Sequence, residues 1–168
     1  MNDMMKDITE IFKIQNFNKL IESIHQSDTV VILIADIAGS SAKVFQQCLI
    51  AAGKLVRIGT DSTANHDLLC QLTENDLLIT VSMTGNYAYA IREELASVQA
   101  SKNLITLNYS HIFEEQYNTV FYLSRHYYSC DHISSGLQNV YTRYAASYFF
   151  DLLFNLYTSK YTRNQRHD

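Results

Sequence analysis

The 168-residue sequence contains no proline and only five glycines. With so few residues of unusual backbone freedom, each glycine marks a place where the chain turns or comes close to another group. No apolar stretch approaches the ~18 to 20 residues that span a bilayer. The N-terminus, MNDMMKD, lacks the basic-then-apolar order of a signal peptide. We therefore expect a cytoplasmic protein without a membrane segment.

Cysteine and basic charge are also scarce. Cys48, Cys70 and Cys130 are odd in number and far apart, and no C-x-x-C occurs. This usage indicates reduced thiols and not a disulfide framework, and a zinc site has no basis in it. The formal net charge of -4 gives no support for nucleic-acid binding by the chain alone. We expect no metal and no other cofactor.

Short apolar runs alternate with longer amphipathic stretches in a chain that is 47% hydrophobic and 18% charged, which is typical of a folded globular domain. One or two short helices are predicted over residues 8–25. Later helical patterns cover 44–52, with Gly53 as the stop, 87–99, and a last helix from about Ser134 or Ser135 to about Ser159. The apolar runs predict strands over 30–35, 54–58, 77–81, 104–107 and 120–123. Strands alternating with helices predict an α/β protein with a parallel sheet covered on both faces.

The predicted organisation is one main domain with two short flanking segments. Residues 1–29 form an N-terminal helical segment that packs on the domain, residues 30–159 form the domain itself, and residues 160–168 form a polar tail. No internal repeat, low-complexity segment or linker interrupts this division.

The stretch Ser82-Met83-Thr84-Gly85-Asn86 follows a predicted strand and precedes a predicted helix. Ligands of parallel α/β sheets bind at such loops, outside the carboxyl ends of the strands. Ser82 and Thr84 supply hydroxyls that donate to phosphate oxygens. Gly85 tolerates a positive φ, and the first N–H groups of the helix, near Asn86, favour an anion. The alternative is that Thr84 or Asn86 only caps the helix.

A second hydroxyl-rich loop follows the first predicted strand. Its sequence, Asp36-Ile37-Ala38-Gly39-Ser40-Ser41, precedes a helix predicted to start near Ala42. Two such loops at the carboxyl edge of one sheet can converge on a single anion. The P-loop pattern G-x-x-x-x-G-K-[ST] and the dinucleotide pattern G-x-G-x-x-G are both absent, so nucleotide binding of those types has no support.

These motifs resemble those of the sugar isomerase (SIS) domain family. Ser82-Met83-Thr84-Gly85-Asn86 matches the family's S-x-[ST]-G-[NE]-x, and Thr142 to Phe154 is similar to the S-R-x-x-x-x-x-x-x-D-x-L-[FY] helix of RpiR-type transcriptional regulators. The resemblance covers about Ile8 to Tyr157. It implies a three-layer αβα sandwich around a five-stranded parallel sheet (SIS, flavodoxin-like), a phosphorylated sugar or amino sugar as ligand, and a homodimer.

The resemblance also implies which residues contact the phosphosugar. These are Ser82, Thr84, Gly85 and Asn86 in one loop, Ser40 and Ser41 in the other, and His66, which follows the second strand. The family's first loop reads G-x-G-x-S, and because its glycines are out of register here, either Ser40 or Ser41 can face the ligand. His66 can alternatively be a helix-start residue at the pocket mouth. Tyr87 and Tyr89 stand where the family has Thr and Glu.

Two function classes remain open on the sequence alone. SIS isomerases are similar in having a catalytic Glu near the last helix, whereas no Glu follows Glu115 here. The preceding loop offers instead Arg125, His126, Asp131 and His132. The alternatives there are a base at His132 or His126, with Asp131 orienting the imidazole, and exposed loop histidines without a catalytic role; we expect the second. Asp151 is expected to be a buried structural acid. We expect a sensor of an RpiR-type regulator, with DNA bound only through a domain absent from this chain. The alternatives are a stand-alone sugar-phosphate isomerase and a dimerisation module with an inactive pocket.

Overall fold

In the computed structural model, the protein alternates strands and helices. The structure describes residues 2–34, 39–60, 65–123 and 135–161. The first half contains α1 (Asn2–Ile14), α2 (Phe17–Gln26), β1 (Thr29–Ile34), α3 (Gly39–Ala51), β2 (Leu55–Gly59), α4 (Asn65–Cys70) and β3 (Leu77–Val81). The second half contains α5 (Asn86–Ala90), α6 (Arg92–Leu95), β4 (Ser101–Thr106), α7 (Ile112–Gln116), β5 (Thr119–Tyr122) and α8 (Ser135–Tyr161).

All five predicted strands are present and form one parallel sheet in the order β2-β1-β3-β4-β5. The bounds of β3 agree with the prediction, while β4 begins at Ser101, three residues earlier than its apolar run. Ser101 and Lys102 pair with Leu77 and Leu78 of β3. Backbone pairing therefore extends the strand into polar residues, because a ladder needs peptide groups and not apolar side chains.

Alternate residues of each strand enter two separate apolar cores, since successive side chains of a strand point to opposite faces. Val30, Ile32 and Ile34 of β1 pack with α1, α2, α3 and α8, whereas Val31 and Leu33 pack with α4, α5, α6 and α7. Burial on both faces explains the unbroken apolar runs in the sequence. The predicted three-layer αβα architecture is confirmed.

Some helix bounds differ from the sequence patterns. The predicted helix over 87–99 is divided into α5 and α6 at Ile91. The guanidinium of Arg92 donates to the carbonyl oxygen of Tyr89 at 3.0 Å, and a continuous helix would offer that oxygen to the N–H of Glu93. The segment predicted as one or two helices forms two, and α3 begins at Gly39 instead of near Ala42.

The predicted stop of α3 is confirmed at Gly53. This residue has φ +86°, and its N–H donates to the carbonyl oxygen of Ile50 at 2.9 Å. The next N–H, of Lys54, donates to the carbonyl oxygen of Leu49 at 3.0 Å, so the carbonyl groups of Leu49 and Ile50 in the last turn of the helix are satisfied. None of the helices in the described part of the chain combines the length and the apolarity that crossing a membrane requires.

Candidate functional site

The loop between β3 and α5 lies at the carboxyl edge of the sheet. Strands β1 and β3 are neighbours and end level with each other, because Ile34 pairs with Val81. Ser82 follows at once, and the N-terminal end of α3 follows β1 at the same edge. The two hydroxyl-rich segments therefore follow adjacent strands at the same edge of the sheet. Residues 35–38 of the first loop lie outside the described residues, as do Arg125, His126, Asp131 and His132.

Backbone hydrogen bonds hold the β3–α5 loop to the end of β4. The N–H of Ser82 donates to the carbonyl oxygen of Ile105, and the N–H of Leu107 donates to that of Met83, both at 3.0 Å. The loop then turns, with the N–H of Gly85 donating to the carbonyl oxygen of Ser82 at 3.1 Å. The amino-terminal part of the loop is thus an extension of the sheet and not a flexible connection.

This turn requires glycine at position 85 for two reasons: the backbone has a positive φ, and there is no room for a side chain. Its φ is +83°, in the left-handed region that favours glycine. A Cβ built at this position would lie 2.8 Å from Nδ2 of Asn108 and 2.8 Å from Cζ of Phe113. The loop is therefore packed directly against the segment that follows β4.

The hydroxyl of Ser82 points inward, to α5. Ser82 is 3% exposed, and its Oγ accepts a hydrogen bond from the N–H of Ala88 at 3.2 Å. Since Gly85 is the N-cap and has no side chain, Ser82 satisfies the third N–H of the helix in its place. A serine hydroxyl that accepts in this way still has a proton to donate. Ser82 therefore caps the helix, a role that the motif had suggested only for Thr84 or Asn86.

Thr84 and Asn86 are more accessible than Ser82. Thr84 is half-buried, and within the described residues its Oγ1 accepts one long hydrogen bond, 3.4 Å, from the N–H of exposed Asn86. The carbonyl oxygen of Thr84 accepts a hydrogen bond from Nδ2 of Asn108 at 2.7 Å. The hydroxyl of Thr84 is consequently the more available of the two in this loop.

The residues predicted in the first loop lie beside α8. Ser40 is exposed, while Oγ of half-buried Ser41 lies 2.5 Å from Oγ of Ser147. Both serines line a cavity of about 260 Å³ between α3 and α8. Among the described residues that line it, Asp151 alone is charged, and its carboxylate is unfavourable for a phosphate in the same space. Asp151 is exposed, so its predicted burial is wrong: it lies on the side of α8 that faces away from the sheet.

His66 lies at the start of α4 and is exposed, with Nε2 3.6 Å from Sγ of Cys70. Its neighbour Asn65 is 5% exposed and makes the structural contacts. Nδ2 of Asn65 donates to the carbonyl oxygen of Thr60 and, at 2.9 Å, to the hydroxyl of Tyr87. Asn65 and Asn108 connect the segments at this edge of the sheet, and neither was predicted from the sequence. An asparagine shortly after a predicted strand was the signal available for both.

An aromatic pair continues the same edge beyond the loop. The rings of Tyr109, which follows β4, and Tyr122, which ends β5, stack with centroids 4.3 Å apart and planes 7° apart. The hydroxyl of Tyr122 donates to Oε1 of Glu114 at 3.1 Å. Burial and the neighbouring Glu114 carboxylate raise the pKa of Tyr122 to about 12. Within the described ranges, no cluster of three or more His, Cys, Asp or Glu side chains is arranged to hold a metal ion.

No protein-family model and no curated protein sequence matches this chain. Solved structures do match it. The NanR protein of Vibrio vulnificus, complexed with ManNAc-6P, superposes with a TM-score of 0.73 at 13% identity, over 98% of this chain and 62% of NanR. The sugar isomerase domain of an RpiR transcription factor from Sphaerobacter thermophilus gives 0.68 at 14% identity, over 96% of this chain and 89% of that one.

A hypothetical protein of Methanococcus jannaschii, inferred to be a 3-hexulose-6-phosphate isomerase, is also similar. It superposes with a TM-score of 0.68 at 16% identity, over 99% of this chain and 96% of its own. Regulators and an inferred isomerase therefore share this architecture, and this chain spans about 62% of the length of NanR. The resemblance predicted from the Ser82–Asn86 motif is confirmed at the level of the fold: this chain has the fold of the sugar isomerase (SIS) domains.

Proposed function

We propose that this chain is a phosphosugar-binding SIS domain that senses its ligand on behalf of an RpiR-type transcriptional regulator. The observation that carries the proposal is the β3–α5 loop, whose glycine has φ +83° and whose hydroxyls lie at the carboxyl edge of a sheet. This is the position at which α/β sheets bind ligands. The fold is shared with NanR, which was solved with ManNAc-6P.

In this proposal the phosphate contacts the accessible side of the loop. The hydroxyl of Thr84 and the amide of Asn86 donate to its oxygens, and Gly85 allows the backbone to come close. The hydroxyl of Ser82 accepts a hydrogen bond from the N–H of Ala88 and donates its own proton to a phosphate oxygen. Ser40 and Ser41, in the first turn of α3, and His66, in the first turn of α4, complete the proposed site. Ser41 then has to exchange its contact with Ser147 for the ligand.

Sensing requires the ligand to bind one conformation of the protein better than another. We propose that the domain is a homodimer and that closure of the two hydroxyl-rich loops around the phosphosugar changes the geometry of the dimer. A separate DNA-binding domain would receive that change. The formal net charge of -4 is consistent with a domain that does not itself contact DNA.

The test is a thermal-shift and calorimetric screen of hexose and amino-sugar phosphates, with ManNAc-6P among them. A ligand present at 100 times its Kd stabilises the folded protein by about 2.7 kcal/mol, which raises the melting temperature measurably. Thr84→Val should weaken binding at least tenfold, because it removes the accessible hydroxyl. Thr119→Val is the matched control, since exposed Thr119 begins β5 at the opposite edge of the sheet. If no phosphosugar raises the melting temperature, the proposal is wrong.

A stand-alone sugar-phosphate isomerase is the second candidate. The observation that favours it is the shared fold with the M. jannaschii protein, inferred to be a 3-hexulose-6-phosphate isomerase, which superposes with a TM-score of 0.68. Isomerisation moves a proton between adjacent carbons, so an isomerase exchanges the hydrogen at carbon 2 with solvent. We expect no exchange with any sugar phosphate that binds. Rapid incorporation of deuterium would establish the enzyme and overturn the sensor.

A further inference from the structure

The outer side of α3 and α8 carries an apolar groove, which is the cavity of about 260 Å³ that Ser40 and Ser41 line. Most of the other side chains that line it are apolar: Val44, Phe45, Cys48, Phe150 and Phe154. Val44 is 57% exposed, although the inner side of its helix packs on the apolar core. Covering an apolar surface of this kind lowers the free energy, so the groove is a candidate interface.

Two opposite charges of α8 lie at this groove. Asp151 lines it, and Arg143 lies eight residues earlier on the same helix; both residues are exposed. Eight residues of an α-helix are a little over two turns, so the two side chains are about 12 Å apart along the axis and about 80° apart around it. Among the described residues, neither charge belongs to an ion pair, and the guanidinium of Arg143 lies 5.4 Å from the ring centroid of Tyr144.

The two charges are placed symmetrically about Ser147, which is close to the middle of α8 (Ser135–Tyr161). Arg143 is four residues before Ser147, and Asp151 is four residues after it. When two copies of α8 cross antiparallel with Ser147 on a two-fold axis, Arg143 of each copy faces Asp151 of the other. The small side chain of serine allows the two helix axes to come close at the crossing. A surface with this symmetry of charge is complementary to itself, which favours a second copy of this chain as the occupant of the groove.

We propose that two copies of this chain pair through the α3–α8 groove, with their α8 helices antiparallel and the Arg143–Asp151 ion pair formed twice. The inference rests on the homodimer of the proposed function and names its interface. It also connects that interface to the ligand, because Oγ of Ser41 lies 2.5 Å from Oγ of Ser147 at the crossing. A phosphosugar that binds the hydroxyl of Ser41 removes this contact, so ligand binding and the geometry of the dimer are coupled.

The test is the oligomeric state in solution, measured by sedimentation equilibrium over a dilution series without ligand. The wild-type protein should have twice the mass of the chain and dissociate on dilution. Asp151→Arg places arginine opposite arginine, and Arg143→Asp places aspartate opposite aspartate. Each single variant should raise the dissociation constant of the dimer at least about tenfold, because like charges oppose each other in the interface. The double variant Arg143→Asp/Asp151→Arg restores opposite charges and should return to within about threefold of the wild-type value.

Asp67→Arg is the matched control. Asp67 is an exposed aspartate of α4, which packs on the opposite face of the sheet, so the same change of charge should leave the dissociation constant unaltered. The melting temperature of each variant checks that these exposed substitutions leave the fold intact.

Three outcomes would overturn the inference. The first is a wild-type protein that is monomeric at every concentration, and the second is a dimer that neither single reversal weakens. The third is a double variant as weak as the single ones, because the two charges would then not face each other. None of these outcomes involves a ligand, so the phosphosugar screen decides the binding part of the proposed function separately.

Discussion

The side-chain amide of Asn108 donates a hydrogen bond of 2.7 Å to the carbonyl oxygen of Thr84. The two residues are on loops that follow neighbouring strands, β3 and β4, and the bond fixes the peptide between Thr84 and Gly85. The same asparagine leaves no room for a side chain at Gly85, because a Cβ at that position would lie only 2.8 Å from Nδ2 of Asn108. The shape of the proposed phosphate loop therefore depends on a residue outside its own motif.

Removal of this bond should loosen the loop. We expect Asn108→Ala to lower the free energy of unfolding by about 1 kcal/mol, the usual net value of one hydrogen bond, and to weaken phosphosugar binding as well. Urea denaturation and calorimetry measure the two effects. Asn155→Ala, at an exposed position of α8, should change neither. A variant of Asn108 with unchanged stability and affinity would show that the loop keeps its shape without this contact.

The two glycines with positive φ provide a matched comparison. Gly53 and Gly85 have φ of +86° and +83°, but a Cβ at Gly53 meets nothing within 4 Å. Gly53→Ala should therefore cost only the backbone strain, about 1 kcal/mol. Gly85→Ala adds a clash with Asn108 and Phe113 and should cost about 2 kcal/mol more. Equal losses in thermal or urea denaturation would mean that the loop can move away from Phe113 without penalty.

Ser82 should contribute to stability as well as to binding. Ser82→Ala leaves the buried N–H of Ala88 without its acceptor, and we expect a loss of about 1 to 2 kcal/mol. Ser101→Ala, at an exposed position, is the control and should stay within about 0.5 kcal/mol of the wild-type protein. Binding of the variant has to be measured well below its melting temperature, so that lost affinity is not confused with unfolding. An unchanged melting temperature would contradict the capping role.

Asp76 should make stability depend on acid pH. Burial alone would raise the pKa of this carboxyl, but hydrogen bonds from the backbone and hydroxyl of Thr73 and from the backbone of Thr29 hold the pKa below its usual value of 3.8. A depressed folded-state pKa means that the ionised form stabilises the fold. Its contribution is complete above the unfolded pKa and is lost as the pH falls through the folded pKa.

The measurement is the free energy of unfolding as a function of pH, from about pH 6 to pH 2. Asp76→Asn should be about 2 kcal/mol less stable than the wild-type protein at pH 6, with the difference shrinking towards pH 2. Asp67→Asn, at an exposed position of α4, should show little of this difference. A gap between wild-type and Asp76→Asn proteins that stays constant with pH would exclude the ionised carboxylate as its cause.

Much of the fold and part of the site could be predicted because they depend on local sequence. Leu77 to Val81 is fully buried on both faces of the sheet, so its apolar run predicted the strand with correct bounds. Gly53 and Gly85 marked positive φ because few other residues tolerate it. The assignment of ligand contacts to Ser40, Ser41, Ser82, Thr84, Gly85, Asn86 and His66 stays a prediction, as do the domain bounds.

Other features depended on partners far away in the chain. Asp151 has aromatic neighbours in sequence, yet it is exposed because only the opposite side of α8 meets the sheet. Two further contacts join residues on separate elements. Ser41 contacts Ser147, and Asn108 contacts Thr84. No periodicity in a single segment encodes such pairs.

The sequence by itself determined which segments are strands and helices, and where glycine allows the chain to turn, because burial and backbone sterics act over a few neighbouring residues. Only the tertiary structure decided the strand order, the inward direction of Ser82 and the aromatic pair beside the loop. The strand order and the aromatic pair require separate strands to meet in one sheet, and the backbone bond from Ser82 to Ile105 of β4 holds the start of its loop where strands β3 and β4 meet. That meeting is a property of the assembled sheet and of no single stretch of residues.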